Sequence, residues 1–323
     1  MNVSEIKKVT VAGCGTQGSQ VASQVAYKGF DVTVWLRNAD SIVKAKPRLA
    51  SIKEQFLAAL EEMKKDKSVS YKGLTDKEEL TDEELDEMIR LTDERLSGIK
   101  FETDLEKAFG DADVVIECIP EIPSQKKAFY VSAAPHFAER TLVLTDTSHL
   151  LPSSFAEDTG RPEKFTTLHF PNQMWKFNMA EVMRQEKTDP AYFELAVEFA
   201  KALGMVPIIL NKEWPGYILN SLCAPWYMSA LTLCANGVAD PATVDMTWQL
   251  STGADPSQTP FRKLDKIGLG FVYNYARMDP DSQKEGTNAY KVLSFLTPYM
   301  EAGKTGIAAG EGFYKYKNYD QVE

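Results

Sequence analysis

His169 is placed to act as a general base. It lies near the end of an apolar–polar run, residues 165–170, and Pro171-Asn172 stops that run as a strand. The chain resumes as a second run over residues 179–183, and if the two runs pair as a hairpin, Glu181 faces His169. A carboxylate beside an imidazole fixes the tautomer of the ring and stabilises its protonated form. Spacing alone leaves a second interpretation open, because an isolated histidine at a strand end is often an ordinary surface group.

A glycine-rich turn near the start of the sequence is the second chemical feature. Its run Gly-Cys-Gly-Thr-Gln-Gly follows a strand and opens a helix. Gly13 permits the tight turn, Gly15 lets a pyrophosphate approach the backbone, and Gly18 lets the helix pack on the strand. With Thr16 and Gln17 in the first helical turn, free N–H groups and the positive end of the helix dipole are available to phosphates. The run predicts a dinucleotide site; the alternative is a glycine turn with a structural role.

The end of the second strand indicates which nicotinamide would bind. In an NAD site, an acid about 20 residues after the glycine run accepts hydrogen bonds from the adenosine ribose. Here that position is Leu36, followed by Arg37 and Asn38. Leu36 cannot accept, whereas a guanidinium and an amide are donors suited to a 2′-phosphate. We therefore predict NADP in preference to NAD. The alternative is an exposed Arg37 at a strand end, with NAD bound in the absence of the acid.

These residues need strands that end at one edge of a sheet. Short apolar runs alternate with helical stretches through the first two-thirds of the chain, which is typical of a doubly wound α/β sheet. The predicted strands are Lys8–Ala12, Asp31–Leu36, Lys100–Glu102, Val114–Cys118, Leu142–Thr145, Thr166–Phe170 and Met205–Leu210. A helical hairpin is inserted over about residues 41–97, and its second helix opens with a capping box at Thr81.

Strand signals stop after about residue 212, and an apolar helix over Pro215–Ala235 begins an all-helical region. We therefore expect an α/β Rossmann-type N-terminal domain, residues 1–211, followed by an all-α domain, residues 212–323. The helical domain carries more apolar surface than so small a domain can bury alone. This surplus predicts a homodimer formed through that domain.

Composition limits the partners. The chain has 323 residues and a net charge of −10, so we expect neither nucleic acid nor anionic lipid as a partner. No continuous apolar run reaches the roughly 18 residues of a membrane span, and a strand begins too early to leave room for a targeting peptide. The four cysteines form no Cys-x-x-Cys pair, and no metal-ligand spacing is present. We expect reduced cysteines, no metal and a cytoplasmic location.

A set of short motifs occurs in a specific order along nearly the whole chain. The motifs are Gly13–Gly18, Ile116–Glu121, Asp146–Ser148, Leu168–Asn172, Ala180–Val182, Pro215–Asn220 and Glu311–Tyr316. In order and rough spacing the sequence resembles the L-3-hydroxyacyl-CoA dehydrogenase family from about residue 7 to residue 317. The resemblance implies a nucleotide-binding domain, a helical domain that dimerises, and an active site in the cleft between them.

The resemblance also implies roles for matched residues. His169 becomes the base that takes the alcohol proton, and Glu181 its orienting partner. Ser148 and Asn220 become hydrogen-bonding groups around the reacting oxygen, and Asn172 lines the same pocket. Because hydride leaves for the nicotinamide while the proton goes to His169, one neutral base suffices for the reaction.

Cofactor and substrate contacts follow from the same resemblance. Glu121 and Lys126 would face the nicotinamide side of the cofactor. The inserted hairpin would flank coenzyme A, with Lys64, Lys65 and Lys67 as its phosphate contacts. The implied reaction interconverts an (S)-3-hydroxyacyl-CoA and a 3-oxoacyl-CoA, of short chain because bulky Trp175 lies close to the base.

Two other functions stay open. The same chemistry could act on a free 3-hydroxy acid, such as a sugar acid or carnitine. A non-catalytic NAD(P)-binding protein is the third possibility, and the joint presence of His169, Glu181, Ser148 and Asn220 speaks against it, since a sensor would not need that set.

Overall fold

The computed structural model describes residues 1–318 and 321–322. The chain divides into two compact units, Met1–Ile218 and Leu219–Glu323. The boundary predicted after residue 211 lies a few residues earlier than this division. The difference arises because Tyr217 and Ile218 contact His169 and Glu181 and so belong to the first unit.

The first unit is built on one sheet. Within the described residues its eight strands are β1 (Lys8–Ala12), β2 (Asp31–Trp35), β3 (Lys100–Glu102), β4 (Val114–Glu117), β5 (Leu142–Thr145), β6 (Phe165–His169), β7 (Met179–Arg184) and β8 (Val206–Leu210). Their order is β3-β2-β1-β4-β5-β6-β7-β8. Neighbours are parallel from β3 to β6, β7 runs antiparallel to β6, and β8 is parallel to β7. Two further short strands, β9 (Tyr316–Asn318) and β10 (Gln321–Val322), pair with each other.

Helices surround this sheet and form the second unit. In chain order they are α1 (Thr16–Tyr27), α2 (Ala39–Lys65), α3 (Asp82–Ser97), α4 (Leu105–Phe109), α5 (Pro123–Ala133), α6 (Pro190–Ala202), α7 (Tyr217–Ala235), α8 (Pro241–Thr252), α9 (Pro260–Ile267), α10 (Leu269–Arg277) and α11 (Asn288–Glu301). Short 3₁₀ turns occupy Val3–Glu5, Ala134–His136, Pro152–Ser154, Glu157–Thr159, Pro162–Lys164, Pro256–Gln258 and Ile307–Ala309.

The central strands are buried on both faces. Val114 and Ile116 of β4 belong to one apolar cluster, whereas Val115 between them belongs to another on the opposite face. A strand covered on both sides reads as a continuous apolar run, as this one does. The doubly wound α/β fold predicted from the sequence is therefore confirmed.

The inserted hairpin forms from α2 and α3. Thr81 accepts from the Glu84 N–H while the Glu84 carboxylate accepts from the Thr81 N–H, so the predicted capping box is confirmed. The first helix begins at Ala39, just before the predicted start, because the Asn38 side chain caps it by accepting from the Ser41 N–H at 2.9 Å.

Trp175 belongs to the packing of this hairpin rather than to a substrate pocket. Its side chain is fully buried, and its ring lies 4.6 Å from that of Phe56 on α2. A Cβ on Gly73 would come within 2.7 Å of the Trp175 backbone, so the chain after α2 lies directly against this residue. The expectation that Trp175 shortens an acyl pocket is wrong, because the turn after β6 directs the ring into the core.

Two buried carboxylates organise the second unit. Asp245 accepts from the hydroxyls of Thr259 (2.8 Å) and Tyr314 (2.9 Å) and from the Phe261 N–H (2.9 Å). Asp265 accepts from the N–H groups of residues 313 and 314 and from the hydroxyl of residue 316. The motif at residues 311–316 is thus a segment that these two carboxylates hold in place.

Helix α7 carries an exposed apolar surface. By length and composition it could cross a membrane, and only 17% of its most apolar window is buried. The expectation that no segment is apolar enough to span a membrane is wrong by this criterion. The criterion averages hydropathy over the helix and so tolerates polar residues between the apolar ones. Helices of this kind also occur at the interfaces of soluble proteins.

Candidate active site

Four parallel strands end at one edge of the sheet, and the candidate site residues follow them. Strand β1 leads into the glycine turn, β4 into Cys118, β5 into Asp146, and β6 ends on His169. The carboxyl ends of parallel strands meet at the same edge, which is where open α/β sheets bind their ligands.

His169 and Glu181 form a buried pair. They face each other in the register of β6 and β7, as predicted, and Nδ1 of His169 lies 2.9 Å from Oε2 of Glu181. The other carboxylate oxygen accepts from the N–H of Ile218 at 2.8 Å. An ionised carboxylate can only accept, so Nδ1 carries the proton and Nε2 is the free base. The pair can therefore take a proton from an alcohol or return one.

Tyr217 is a contributor that sequence reasoning missed. It is fully buried, and its ring stacks on His169 with centroids 4.7 Å apart and an interplanar angle of 16°. Its backbone has a φ of 54°, a left-handed conformation that costs a bulky residue about 1–3 kcal/mol. The Pro-Gly before it could have signalled a tight turn, but the stacking depends on a contact with a distant strand.

Ser148 lies on a loop that Glu121 holds. One carboxylate oxygen of Glu121 accepts from the N–H groups of Ser148 (3.0 Å), His149 (2.9 Å) and Leu150 (3.2 Å), and from the hydroxyl of Thr147. These donors keep the pKa of Glu121 low against the burial that would raise it, with the nearby Lys126 charge as the largest lowering influence. Glu121 thus orients the segment that carries the predicted hydrogen-bonding serine.

Lys126 lies behind the site rather than in its wall. Its side chain is 1% exposed, and Nζ contacts Oε1 of Glu117 at 2.6 Å and Oε2 of Glu121 at 3.3 Å. The two carboxylates hold the pKa of Lys126 above its ordinary value although burial lowers it. The expectation that Lys126 faces the cofactor therefore needs correction: a buried ammonium needs carboxylate partners, and it acts on the site through Glu121.

A cavity of about 980 Å³ runs along this edge of the sheet. It is lined by the whole glycine turn, by the ends of β2 and β4, and by Glu121, Asp146 and Ser148. A Cβ on Gly13 would meet the Cys118 carbonyl at 2.6 Å, whereas a Cβ on Gly15 would meet nothing within 4 Å. The first glycine is thus required by packing, and the second leaves open space at a helix N-terminus, where a pyrophosphate fits. Gly13, Gly15, Thr16, Gln17 and Gly18 all line the cavity, and their contact with a cofactor stays a prediction.

The other end of the cavity carries basic side chains. Leu36 and Arg37 line it, and so do Ser41, Lys44 and Arg48 of α2. The spacing of these last three puts them on one face of the helix, a periodicity visible in the sequence but not connected there to the cofactor. Asn38 instead caps the helix, so its side-chain oxygen is used in holding α2.

The other predicted site residues are the lysines at and just after the end of α2 and two asparagines. Lys64 pairs with Asp86 at 2.5 Å and Lys67 pairs with Asp82 at 2.6 Å, while Lys65 is exposed. Asn172 is exposed and its side-chain oxygen accepts from Gln20 at 3.1 Å. Asn220 lies in the first turn of α7, in the second unit, and its contact with the reacting oxygen stays a prediction. In the described part of the chain, no group of three or more His, Cys, Asp or Glu is arranged to hold a metal ion.

A glycine cradle and a buried His–Glu pair at the carboxyl edge of a doubly wound sheet define a nucleotide-dependent oxidoreductase. Residues 8–214 match the NAD binding domain of 3-hydroxyacyl-CoA dehydrogenase, and residues 216–316 match the C-terminal domain. The chain therefore belongs to the 3-hydroxyacyl-CoA dehydrogenase family, and its cofactor is a nicotinamide dinucleotide.

Individual relatives cover almost the whole chain. The human mitochondrial hydroxyacyl-coenzyme A dehydrogenase is 30% identical over 97% of this chain and 92% of its own length. A probable 3-hydroxybutyryl-CoA dehydrogenase of Deinococcus radiodurans is 29% identical over 96% of this chain and 100% of its own. A diketoreductase of solved structure, described as acting on dicarbonyl compounds, shares 39% identity with a TM-score of 0.78, covering 96% of this chain and 99% of its own.

Proposed function

We propose that the protein interconverts (S)-3-hydroxyacyl-CoA and 3-oxoacyl-CoA by hydride transfer with a nicotinamide cofactor. The observation that carries the proposal is the buried His169–Glu181 pair, 2.9 Å apart, at the sheet edge where the glycine turn lies. Relatives named as 3-hydroxyacyl-CoA and 3-hydroxybutyryl-CoA dehydrogenases support the same substrate class.

Each residue of the site has its own role in the proposed reaction. In oxidation, Nε2 of His169 takes the hydroxyl proton, and in reduction it returns a proton to the carbonyl oxygen. Glu181 keeps the ring in this tautomer and stabilises its protonated form. Ser148 and Asn220 are proposed to donate hydrogen bonds to the same oxygen. The bound nicotinamide supplies the hydride chemistry, which needs no metal.

A comparison of substrates tests the proposal. We expect kcat/KM for acetoacetyl-CoA to exceed that for free acetoacetate, because binding energy from the coenzyme A portion orients the reacting carbon. Equal values would contradict a requirement for coenzyme A. Replacing Lys65 by Gln should lower kcat/KM for the thioester alone, and the same change at exposed Lys7, immediately before β1, is the matched control.

A second candidate substrate class is a dicarbonyl acid without coenzyme A. Two observations favour it: the 39% identity to the diketoreductase, and the engagement of Lys64 and Lys67 with carboxylates of α3. A coenzyme A phosphate would have to compete with those carboxylates. If a dicarbonyl acid without coenzyme A turns over with a higher kcat/KM than acetoacetyl-CoA, this candidate replaces the first.

We propose further that NADP is preferred over NAD. Leu36 offers no acceptor to a ribose hydroxyl, and Arg37, Lys44 and Arg48 bring positive charge to the wall of the cavity at that end. A charge-assisted contact with a 2′-phosphate stabilises binding by about 1.5–3 kcal/mol, or ten- to a hundredfold in affinity.

The preference is tested by kcat/KM for NADPH and NADH. The substitution Lys44→Gln should lower the value for NADPH and leave that for NADH nearly unchanged. The substitution Lys46→Gln is the matched control, because this lysine is exposed on the same helix but does not line the cavity. A preference of the unaltered protein for NADH would reject the proposal.

We also propose a homodimer formed through the second unit. Leu222 of α7 is 69% exposed, and on α8 Met246 and Leu250, one helical turn apart, are 54% and 79% exposed. A second copy of the chain can cover this apolar surface. Light scattering should give twice 36.1 kDa, and Leu222→Glu should give a monomer, while Met278→Glu, at an exposed residue just after α10, should not. A monomeric parent, or sedimentation with lipid vesicles, would contradict the dimer.

Cytoplasmic location is likewise a proposal. Its support is chemical: Cys14, Cys118, Cys223 and Cys234 are all free thiols, as expected in a reducing compartment. Fractionation of cells with antibody detection tests it, and recovery of the protein from an organelle or from membranes would reject it.

A further inference from the structure

Asp146 is a carboxylate in the cavity wall that has no role in the proposed mechanism. It follows β5 directly and is 7% exposed. Its Oδ1 accepts from the N–H of Phe170 at 3.0 Å. Within the described part of the chain, Oδ2 meets only the thiol of Cys118, at 3.8 Å, and the side chain lines the cavity beside Ser148. One oxygen is therefore held by the protein and the other is open to a ligand.

The surroundings of Asp146 do not give it a dedicated counter-ion. The charged and titratable groups that face it are Glu117 and Cys118 from β4 and its end, Lys126 from α5, His169 from β6 and Tyr217 from α7. Lys126 is already paired with Glu117, and His169 with Glu181. Burial accordingly raises the pKa of Asp146 to about 7, against the lowering influence of His169 and Lys126.

The positions of the residues that line the cavity indicate which part of the cofactor would contact the Asp146 carboxylate. The glycine turn accepts the pyrophosphate, and the end of β2 accepts the adenosine half. The nicotinamide half therefore lies toward Asp146 and Ser148, where hydride can reach a carbon whose oxygen contacts His169. The oxidised ring carries a positive charge and the reduced ring does not.

We propose that Asp146 is the counter-charge of the oxidised nicotinamide ring, so that its carboxylate favours binding of the oxidised over the reduced cofactor. The proposal rests on the nicotinamide binding proposed above, but it does not depend on which substrate is turned over. It makes the affinity for the oxidised cofactor pH-dependent, because a cationic ring binds the ionised carboxylate. As the pH rises through about 7, that affinity increases relative to the affinity for the reduced cofactor.

Binding of NADP⁺ and NADPH to the purified protein, by calorimetry at pH 6 and pH 8.5 in the absence of substrate, tests the proposal. Asp146→Asn keeps an oxygen for the Phe170 N–H and removes the charge. We expect it to weaken NADP⁺ binding at pH 8.5 by roughly tenfold, to leave NADPH within about twofold, and to abolish the difference in pH dependence between the two redox forms.

Two further variants test whether the change in NADP⁺ affinity is specific to Asp146. Asp113→Asn alters another buried aspartate that accepts backbone N–H groups, from Lys7 and Lys8 at 2.9 Å each, away from the cavity, and it should change neither affinity. His169→Asn should keep the pH dependence of NADP⁺ binding. Equal weakening of both redox forms by Asp146→Asn, or no change in either, would overturn the proposal. Good binding without turnover of any 3-oxo substrate would instead refute the proposed function alone.

Discussion

Glu181 accepts hydrogen bonds from different elements. One joins it to the His169 ring across the hairpin of β6 and β7, and another comes from the Ile218 N–H at the start of α7. A fully buried carboxylate is stable only when such donors surround it. Sequence reasoning found the first contact, because alternation along two runs predicts which side chains face each other. It could not find the second, or the stacking of Tyr217, because neither follows a local period.

Replacing Tyr217 tests whether the stacked ring positions the base. Tyr217→Ala removes the ring below His169, and we expect kcat to fall about tenfold or more, since small displacements of a reacting group are costly. Tyr217→Phe keeps the ring and should retain most of kcat. The affinity for the nicotinamide cofactor, measured in the same samples, should be unchanged in both. A loss as large in Tyr217→Phe as in Tyr217→Ala would instead assign the role to the hydroxyl.

At the scale of elements, the strands could be predicted from the sequence, but the contacts made by the segments that connect them could not. Most predicted strands agree with the structure to within a residue at each end, because buried runs between turn residues leave little freedom. Trp175 shows the opposite case: it is close to the base in sequence, but its turn places it in the core against Phe56. The spacing of Lys44 and Arg48 already placed them on one face of α2. Only the fold shows that this face lines the cavity.

The C-terminal segment of the second unit offers an element-scale prediction. Asp265→Ala removes the acceptor for three donors at 2.8–3.0 Å in residues 313–316. Because hydrogen bonds to charged groups are strong and the partly buried donors would lose their acceptor, we expect the free energy of unfolding to drop by roughly 3 kcal/mol. Urea denaturation followed by fluorescence measures it, with exposed Glu301→Ala as the control. A loss no larger than that of the control would show that the segment is held by other contacts.

At the scale of the whole molecule, a partly buried lysine couples folding to pH. Burial lowers the pKa of Lys28 to about 8, and its Nζ donates to the Leu74 carbonyl at 3.1 Å. The folded pKa lies below the ordinary value of 10.5, so the unfolded chain binds more protons between these values and stability rises with pH there.

The difference between the parent protein and Lys28→Met isolates this contribution. We expect the parent to gain on the order of 1–3 kcal/mol relative to the variant between pH 7.5 and pH 10, after allowing for partial exposure. Urea denaturation at both pH values measures the gain. An identical pH dependence in the two proteins would mean that Lys28 keeps its ordinary pKa in the folded state.

The central claim is that His169 is the base of a nicotinamide-dependent dehydrogenase. The most direct measurement is the kcat of His169→Asn for reduction of acetoacetyl-CoA, with cofactor affinity determined on the same preparation. The account predicts that kcat falls by roughly 10²–10⁴ while the affinity for the nicotinamide cofactor stays nearly unchanged. A folded His169→Asn protein that turns over as fast as the parent would contradict it.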